Sequence, residues 1–300
     1  MHHIQTLIQF GRPHTILASS IQVITLFIIV GGLQHLNAAG LALLALTLVS
    51  SLCVNIYIVG LNQITDLDID RMNKPHLPLV AGTLSIRDGR RIVAVTAVLS
   101  LVLALVAGPI LLGTIAIIFI IGTLYSLPPL RLKRFPIAAA LSVAAARGIL
   151  SNIGVALHFH DAFDSPLPLA TVVILGVFFF GFAIVIALYK DLPDSQGDRM
   201  YAIETFTTRL GPRRVLMIGQ LVLTSTYLLP VIIGITGLPQ PRAIFLLISH
   251  VLLIGAFWVL STRVNLDSQQ AIKRFYMYLW LIFYTEFVVL SIYETAWSVA

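Results

Sequence analysis

The sequence predicts an all-α polytopic membrane protein with nine transmembrane helices, and three observations carry that expectation. Hydrophobic residues make up 58% of the 300 positions and charged residues only 11%, against roughly a quarter charged in an ordinary soluble domain. Long apolar runs recur at lengths near the roughly 20 residues that a helix needs to cross a bilayer. The Lys and Arg residues between those runs gather on alternate loops. Such a composition excludes a soluble enzyme, a disordered chain and a nucleic-acid binder driven by a basic face. The single cysteine, Cys53, excludes an internal disulfide and a Cys-based metal cluster. No removable signal peptide is expected in Met1 to Phe10, which lack a basic region followed by a small-residue cleavage site.

The nine segments are expected near residues 14–33, 41–62, 90–107, 109–126, 136–157, 168–190, 213–236, 242–262 and 272–297. The third and fourth are separated only by Gly108-Pro109. Proline lacks the backbone donor and disfavours helix in the residue before it, so a tight helical hairpin is expected there. Ser85-Ile86-Arg87-Asp88 fits a capping pattern at the start of the third segment. Seventeen of the nineteen basic residues fall before the first segment, or on or beside the loops after the second, fourth, sixth and eighth. The two exceptions are Arg147, inside the fifth segment, and Arg242. The positive-inside rule then places the N-terminus and those loops in the cytoplasm and the C-terminus outside. The whole of 1–300 reads as one transmembrane domain.

Acidic residues are scarce, only 13, so their clustering is informative. Asn62, Asp66 and Asp70 recur at intervals of four, which places them on one face of a helix, with Asp68 pointing elsewhere. Asp191, Asp194 and Asp198 form a second cluster after the sixth segment, where Pro193 and Gly197 predict a helix end or turn. Carboxylates at a helix C-terminus oppose the macrodipole, and like charges four residues apart repel. Two helices making the same unfavourable choice point to a compensating cation rather than to solvated ends. Magnesium suits the pattern, because it takes oxygen ligands and is commonly held by a few carboxylates together with substrate phosphates. A magnesium-diphosphate site at a membrane surface implies an isoprenoid substrate, whose tail needs lipid while its head needs metal. Metal and basic side chains would stabilise the departing diphosphate, and apolar walls would keep water from the allylic cation.

The stretch Asn62 to Asp70 and the second Asp-rich stretch resemble the paired motifs of the UbiA superfamily of intramembrane aromatic prenyltransferases. Longer strings narrow the resemblance to the homogentisate prenyltransferases: GRPHT at 11–15, NIYIVGLNQITDLDIDRMNKPHLPL at 55–79, YSLPPLRLKRFP at 125–136, ARG at 146–148 and YKDLPDSQGD at 189–198. The string NKPHLPL is the most specific of these, and the resemblance runs from Gly11 to about Gly211. It implies nine helices around a central cavity and transfer of a prenyl group, phytyl above all, from its diphosphate to homogentisate. The acceptor would lose carbon dioxide, giving a methyl-prenyl-benzoquinol of tocopherol or related prenylquinone synthesis. A 4-hydroxybenzoate polyprenyltransferase or a chlorophyll-synthase-like enzyme is the neighbouring alternative. An ion-coupled transporter is the alternative of a different class, although such sites lie near the bilayer midplane at broken helices.

In this reading Asn62, Asp66 and Asp70 hold one Mg2+ and Asp191, Asp194 and Asp198 the second, with Asp191 and Asp194 able to trade roles. The partners are a prenyl diphosphate, homogentisate or a similar aromatic acid, and the lipid bilayer. Lys190 and Arg199 flank the second cluster and either touch the diphosphate or serve as ordinary cytoplasmic flanks. Arg71 and Lys74 open a polar loop, 71–84, that is expected to cover the site. Arg147 recognises diphosphate or an aromatic carboxylate, or else pairs with Glu286 or reaches toward a membrane edge. Arg12, beside His14, is a candidate for the acid head of the acceptor. Tyr125 either faces cationic charge with its ring or belongs to the interfacial aromatic belt. His158, His160, Asp161 and Asp164 lie in an expected outer loop, where their spacing is a weak metal signal. Phe178, Phe179 and Phe180 face lipid or the core.

Overall fold

The computed structural model describes residues 2–200, 204–236 and 242–296. Every regular element among them is helical, as lipid demands of a chain that must satisfy its backbone polar groups within each segment. Helix α1 (His2–Phe10) bends through 85° into α2 (Pro13–Ile29). Arg12 makes the corner with φ 57°, a conformation that strains a non-glycine residue. A short 3-10 turn leads to α3 (Ala38–Thr65), whose N-cap Asn37 accepts the Gly40 N–H at 2.9 Å. Helix α4 (Leu67–Asn73) follows directly after Asp66. Ser85 accepts the Asp88 N–H at 3.0 Å and starts α5 (Ile86–Ala107), as its pattern predicts. Gly108 at φ 143° turns the chain into α6 (Pro109–Ser126), which is the expected hairpin.

Helix α7 (Pro136–Val143), a π-helical stretch (Ala144–Leu150) and α8 (Ser151–Phe163) form one rod of 28 residues. The chain continues through α9 (Leu169–Tyr189), the short α10 (Ser195–Met200) and α11 (Phe206–Leu210), then α12 (Pro212–Thr236), α13 (Arg242–Thr262) and α14 (Gln269–Thr295). Neighbours in sequence pack against one another, and α14 closes back onto α2. Helix α9 touches the π-helical stretch, α7, α8, α12 and α14. Its Phe178, Phe179, Phe182 and Val185 are fully buried, so the first two aromatics of the Phe run serve the core. A helix apolar all round is suited to that central place. On α5 the residues Val95, Val98, Leu99, Val102, Leu105 and Val106 form an exposed apolar stripe, unsuited to water and suited to acyl chains.

Each of the nine expected segments falls on a helix, the last of them ending at 297, outside the described residues. The number of helices of crossing length differs from the expected nine. Among the described residues seven helices are long and apolar enough to span, and α1 with α2 makes an eighth if their bent pair is one span. Helix α2 alone has 17 residues, and α9 qualifies only as a shorter apolar helix over Ile174–Tyr189.

Candidate active site

A cavity of about 660 Å3 opens among α2, α3, α4, α6, α7, α9, α10 and α14. Its acidic end is built by two helix ends. Helix α3 breaks at Asp66, which has φ −112° and ψ 16°, so the first motif is not the continuous helix that intervals of four predict. The spacing survives the break because the four-residue hydrogen bonds do. The Asp66 N–H donates to the Asn62 carbonyl at 3.0 Å, Asp70 to Asp66 at 2.8 Å, and Lys74 to Asp70 at 2.8 Å. Asn62, Asp66, Asp70 and Lys74 all line the cavity. Asp68 is exposed and pairs with Arg71 at 2.9 Å, with the Arg71 side chain 63% exposed. Arg71 does not line the cavity, which corrects its expected role: one residue past Asp70 is a quarter turn or more away, on the face of Asp68. The loop that follows, 74–84, is held by turns, with Leu77 and Leu79 buried.

Across the cavity, α9 ends at Tyr189, Pro193 falls in the turn, and α10 begins at Ser195. Lys190, Asp191, Asp194 and Asp198 all line the same cavity. The side chain of Arg199 lies outside the described residues. Two contacts tie the motifs together: Lys74 Nζ donates to Asp194 Oδ2 at 2.5 Å, and Asn73 donates to Asp198 Oδ1 at 2.9 Å. Lys74 Nζ also lies 3.5 Å from Asp70 Oδ1. Lys190 donates to the Tyr125 hydroxyl at 2.9 Å, 5.6 Å from the centroid of that ring, and sits 3.8 Å from Asp191. Tyr125 is therefore a cavity residue rather than a member of an outer belt.

Arg131 and Lys133 were not foreseeable as individual contacts from the charge count alone. Lys133 Nζ is 2.7 Å from Asp66 Oδ1 and donates to Asn62 at 3.0 Å and Thr65 at 2.7 Å, while Arg131 reaches Asp66 at 3.1 Å. The signal for them lies in the string Tyr125 to Pro136, whose three prolines keep this basic loop short and close to the end of α3.

The deeper wall carries cations and aromatics. Arg147 projects from the π-helical stretch, 5.6 Å from the Trp280 ring and 3.4 Å from Asn55 Oδ1. Trp280 also packs against His14 at 5.0 Å between ring centroids. Arg12, His14, Arg147, Tyr276 and Trp280 line the cavity. The possible Arg147–Glu286 pair is not formed, because Glu286 is bonded to His250 at 2.8 Å in the buried contact of α13 with α14. The outer histidines correct a further expectation: His158 and His160 lie on α8, not in a loop. His158 is bonded to Thr47 at 3.0 Å and His160 to the Ser165 carbonyl.

Electrostatically the acidic end is strained. Burial raises the carboxyl of Asp70 above the ordinary range, and burial likewise raises Asp191. Burial together with the charges of Asp191 and Asp194 lifts Asp198 to about 7, against the hydrogen bond from Asn73. Burial opposes the charge on Lys74, but Asp194 and Asp70 outweigh it and raise the ammonium. At Lys133 burial prevails over Asp66 and lowers it.

Among the described residues no three Asp, Glu, His or Cys side chains already form a metal-binding group; Asp66, Asp70, Asp191 and Asp194 lie against the chain's own cations instead. The donor set still fits a hard divalent ion. It is all oxygen, it comes from both helix ends, and Asp70 Oδ2 is buried without a partner.

The chain is similar to known proteins over nearly its whole length. The profile of the UbiA prenyltransferase family matches residues 19–282. A homogentisate phytyltransferase of Synechocystis sp. is 40% identical over 293 residues, covering 96% of this chain and 95% of its own. Homogentisate phytyltransferase 1 of Arabidopsis thaliana is 34% identical, covering 94% of this chain and 73% of its own. A UbiA homolog from Archaeoglobus fulgidus bound to GPP and Mg2+ has the same fold, with a TM-score of 0.67 at 18% identity, covering 95% of this chain and 99% of its own.

Proposed function

The chain belongs to the UbiA prenyltransferase family, and from that premise we propose that it transfers a prenyl group, phytyl above all, from its diphosphate to homogentisate. The acceptor's carboxylate leaves as carbon dioxide and the product is a methyl-prenyl-benzoquinol of tocopherol or related prenylquinone synthesis. The observation that carries this reading is the joining of two acidic helix ends across one cavity, through Lys74 to Asp194 and Asn73 to Asp198, combined with the names of the similar proteins. Family membership sets aside the ion-coupled transporter.

Asn62, Asp66 and Asp70 would hold one Mg2+ and Asp191, Asp194 and Asp198 the other. When bound, Mg2+ supplies Lewis-acid stabilisation of the departing diphosphate. Lys74, Lys133, Arg131 and Lys190 surround the same end and donate to phosphate oxygens, where negative charge grows as the carbon–oxygen bond breaks. The rings of Tyr125, Tyr276 and Trp280 face the cavity and accommodate positive charge on the allylic carbon. Buried apolar helix walls withhold water from that carbon. Arg147 and Arg12 take the acid head of the acceptor, which turns its electron-rich ring toward the cation. The N-terminus and the active-site loops face the cytoplasm and the C-terminus the other side, following the distribution of basic residues. Residues 1–300 act as one transmembrane catalytic unit.

The test is incubation of membranes containing the protein with homogentisate and a panel of prenyl diphosphates, with and without EDTA. A prenylated methyl-quinol formed only when divalent ions are present is the expected result. Turnover of 4-hydroxybenzoate in place of homogentisate would reassign the acceptor. Asp66→Ala and Asp198→Ala are each expected to abolish turnover while leaving expression in membranes intact.

A further inference from the structure

The acidic helix ends meet cations supplied by the chain itself. Arg131 and Lys133 hold Asp66, Lys190 stands beside Asp191, and Lys74 lies between Asp70 and Asp194. Lys74 differs from the other three in touching both clusters, at 3.5 Å and 2.5 Å. It is the C-cap residue of α4, so its stem rises from the first motif while its ammonium sits on the second. Neighbouring Asn73, the last residue of α4, binds Asp198.

An ammonium at this distance occupies the side of Asp194 Oδ2 that faces Asp70, and a divalent ion held there at its usual contact of roughly 2.1 Å needs the same space. Two cations crowded into that gap also repel each other. We propose that Lys74 is a displaceable counter-cation: in the ligand-free protein it holds Asp70 and Asp194 together, and when metal and diphosphate enter it leaves the carboxylates for a phosphate oxygen. The step is an exchange of ion pairs and makes or breaks no covalent bond. It rests on the metal–diphosphate reading given above and adds to it a coupling. Metal alone must break the Lys74 pairs with nothing to receive the ammonium, whereas diphosphate supplies acceptors for it. Departure of diphosphate returns Lys74 to the carboxylates and weakens the hold on metal. Lys74 thus contacts the diphosphate itself and ties its occupancy to that of both Asp motifs. A flexible four-carbon stem with three rotatable donors is suited to such a transfer.

The experiment uses the full chain in lipid nanodiscs, with Mn2+ binding followed by electron paramagnetic resonance at buffered free Mn2+, with and without inorganic pyrophosphate. The unaltered protein is expected to bind Mn2+ roughly tenfold or more tightly when pyrophosphate is present, within the usual range of coupling between sites. Lys74→Met is expected to bind Mn2+ roughly tenfold more tightly than the unaltered protein without pyrophosphate, and more weakly than it with pyrophosphate. Lys74→Arg, which keeps the charge, should restore coupling. A Lys74→Met effect of the same sign and size in both conditions would mean simple through-space repulsion and overturns the proposal, as does no effect in either. Lys74→Gln carries the same measurement if the Met variant fails to fold. Failure of the unaltered protein to bind Mn2+ in either condition refutes the underlying metal–diphosphate reading instead.

Discussion

Gly148→Ala tests the packing that delivers Arg147 to the cavity. A Cβ built on Gly148 lies 2.5 Å from Phe180 Cα, 2.6 Å from Phe180 N and 2.8 Å from Phe179 C. All three are backbone atoms of α9, so no side chain can rotate away to make room. Restoring ordinary carbon contacts of about 3.5 Å needs the π-helical stretch and α9 to part by about 1 Å. Overpacking of this kind costs about 1–3 kcal/mol, or roughly 2–10 °C in Tm for a chain of this size. The same shift carries Arg147 away from Asn55 and Trp280, which it now meets at 3.4 Å and 5.6 Å. The assay is thermal unfolding in nanodiscs beside the homogentisate KM, with Gly113→Ala as control. Gly113 is helical and has nothing within 4 Å of its added Cβ, so that change should leave Tm level or raise it slightly. The reasoning is refuted if Gly148→Ala melts with the unaltered protein, or if the control loses as much.

The remaining predictions concern protons and buried pairs. Asp198, lifted to about 7 by burial and by Asp191 and Asp194, must lose its proton to ligate a cation. Divalent-ion affinity should therefore fall roughly eightfold between pH 7.5 and pH 6, with release of protons on binding measurable by calorimetry. Asp198→Asn should bind more weakly and flatten that dependence. A carboxyl raised in the folded state favours folding when protonated, an effect fully present below its ordinary 3.8 and lost as pH rises through about 7. The ion-free protein should thus melt at a higher temperature at pH 6 than at pH 8, and saturating Mg2+ should reduce or reverse the difference. His250→Ala leaves the buried Glu286 carboxyl without its 2.8 Å partner and should cost about 1–3 kcal/mol in unfolding experiments. Glu286→Gln should cost less, because the His250 Nδ1–H is committed to the Leu246 carbonyl at 2.8 Å and Nε2 can accept from the amide.

The membrane character and the two acidic ends are legible in the sequence because both are properties of residue type and interval. Apolar run length reports on lipid, and carboxylates four apart at helix ends report on a need for positive charge nearby, which Lys74, Arg131, Lys133 and Lys190 supply here. The break at Asp66 is hidden because the hydrogen bonds from Asn62 to Lys74 keep the interval of four across it. Arg71 illustrates the opposite failure: adjacency to Asp70 in sequence is separation on a helix, and it meets Asp68 outside the cavity. Arg131 and Lys133 satisfy the positive-inside rule as well as any other pair of residues. Only the folding of their loop against the end of α3 turns two of many flanking charges into the partners of Asp66. The same rule that orients a membrane protein thus conceals which of its basic residues serve the site.

Arg147 shows why a costly residue is legible while its purpose is not. A guanidinium in an apolar run announces itself, but a regular helix would leave its direction to the phase of the run. The stretch Ala144–Leu150 winds as a π-helix instead, and one extra residue per turn shifts everything after it by about 100° relative to α7. Gly148 then lies against the backbone of α9, while Arg147, one residue earlier, meets Asn55 and Trp280 at the cavity wall. The cation and the close helix contact are consequences of a single change in winding. A change that restores regular α-helix there, such as deletion of Ala145, should disturb both at once: loss of acceptor binding should accompany loss of stability. Preserved homogentisate affinity in a destabilised deletion variant would separate the two and refute the linkage.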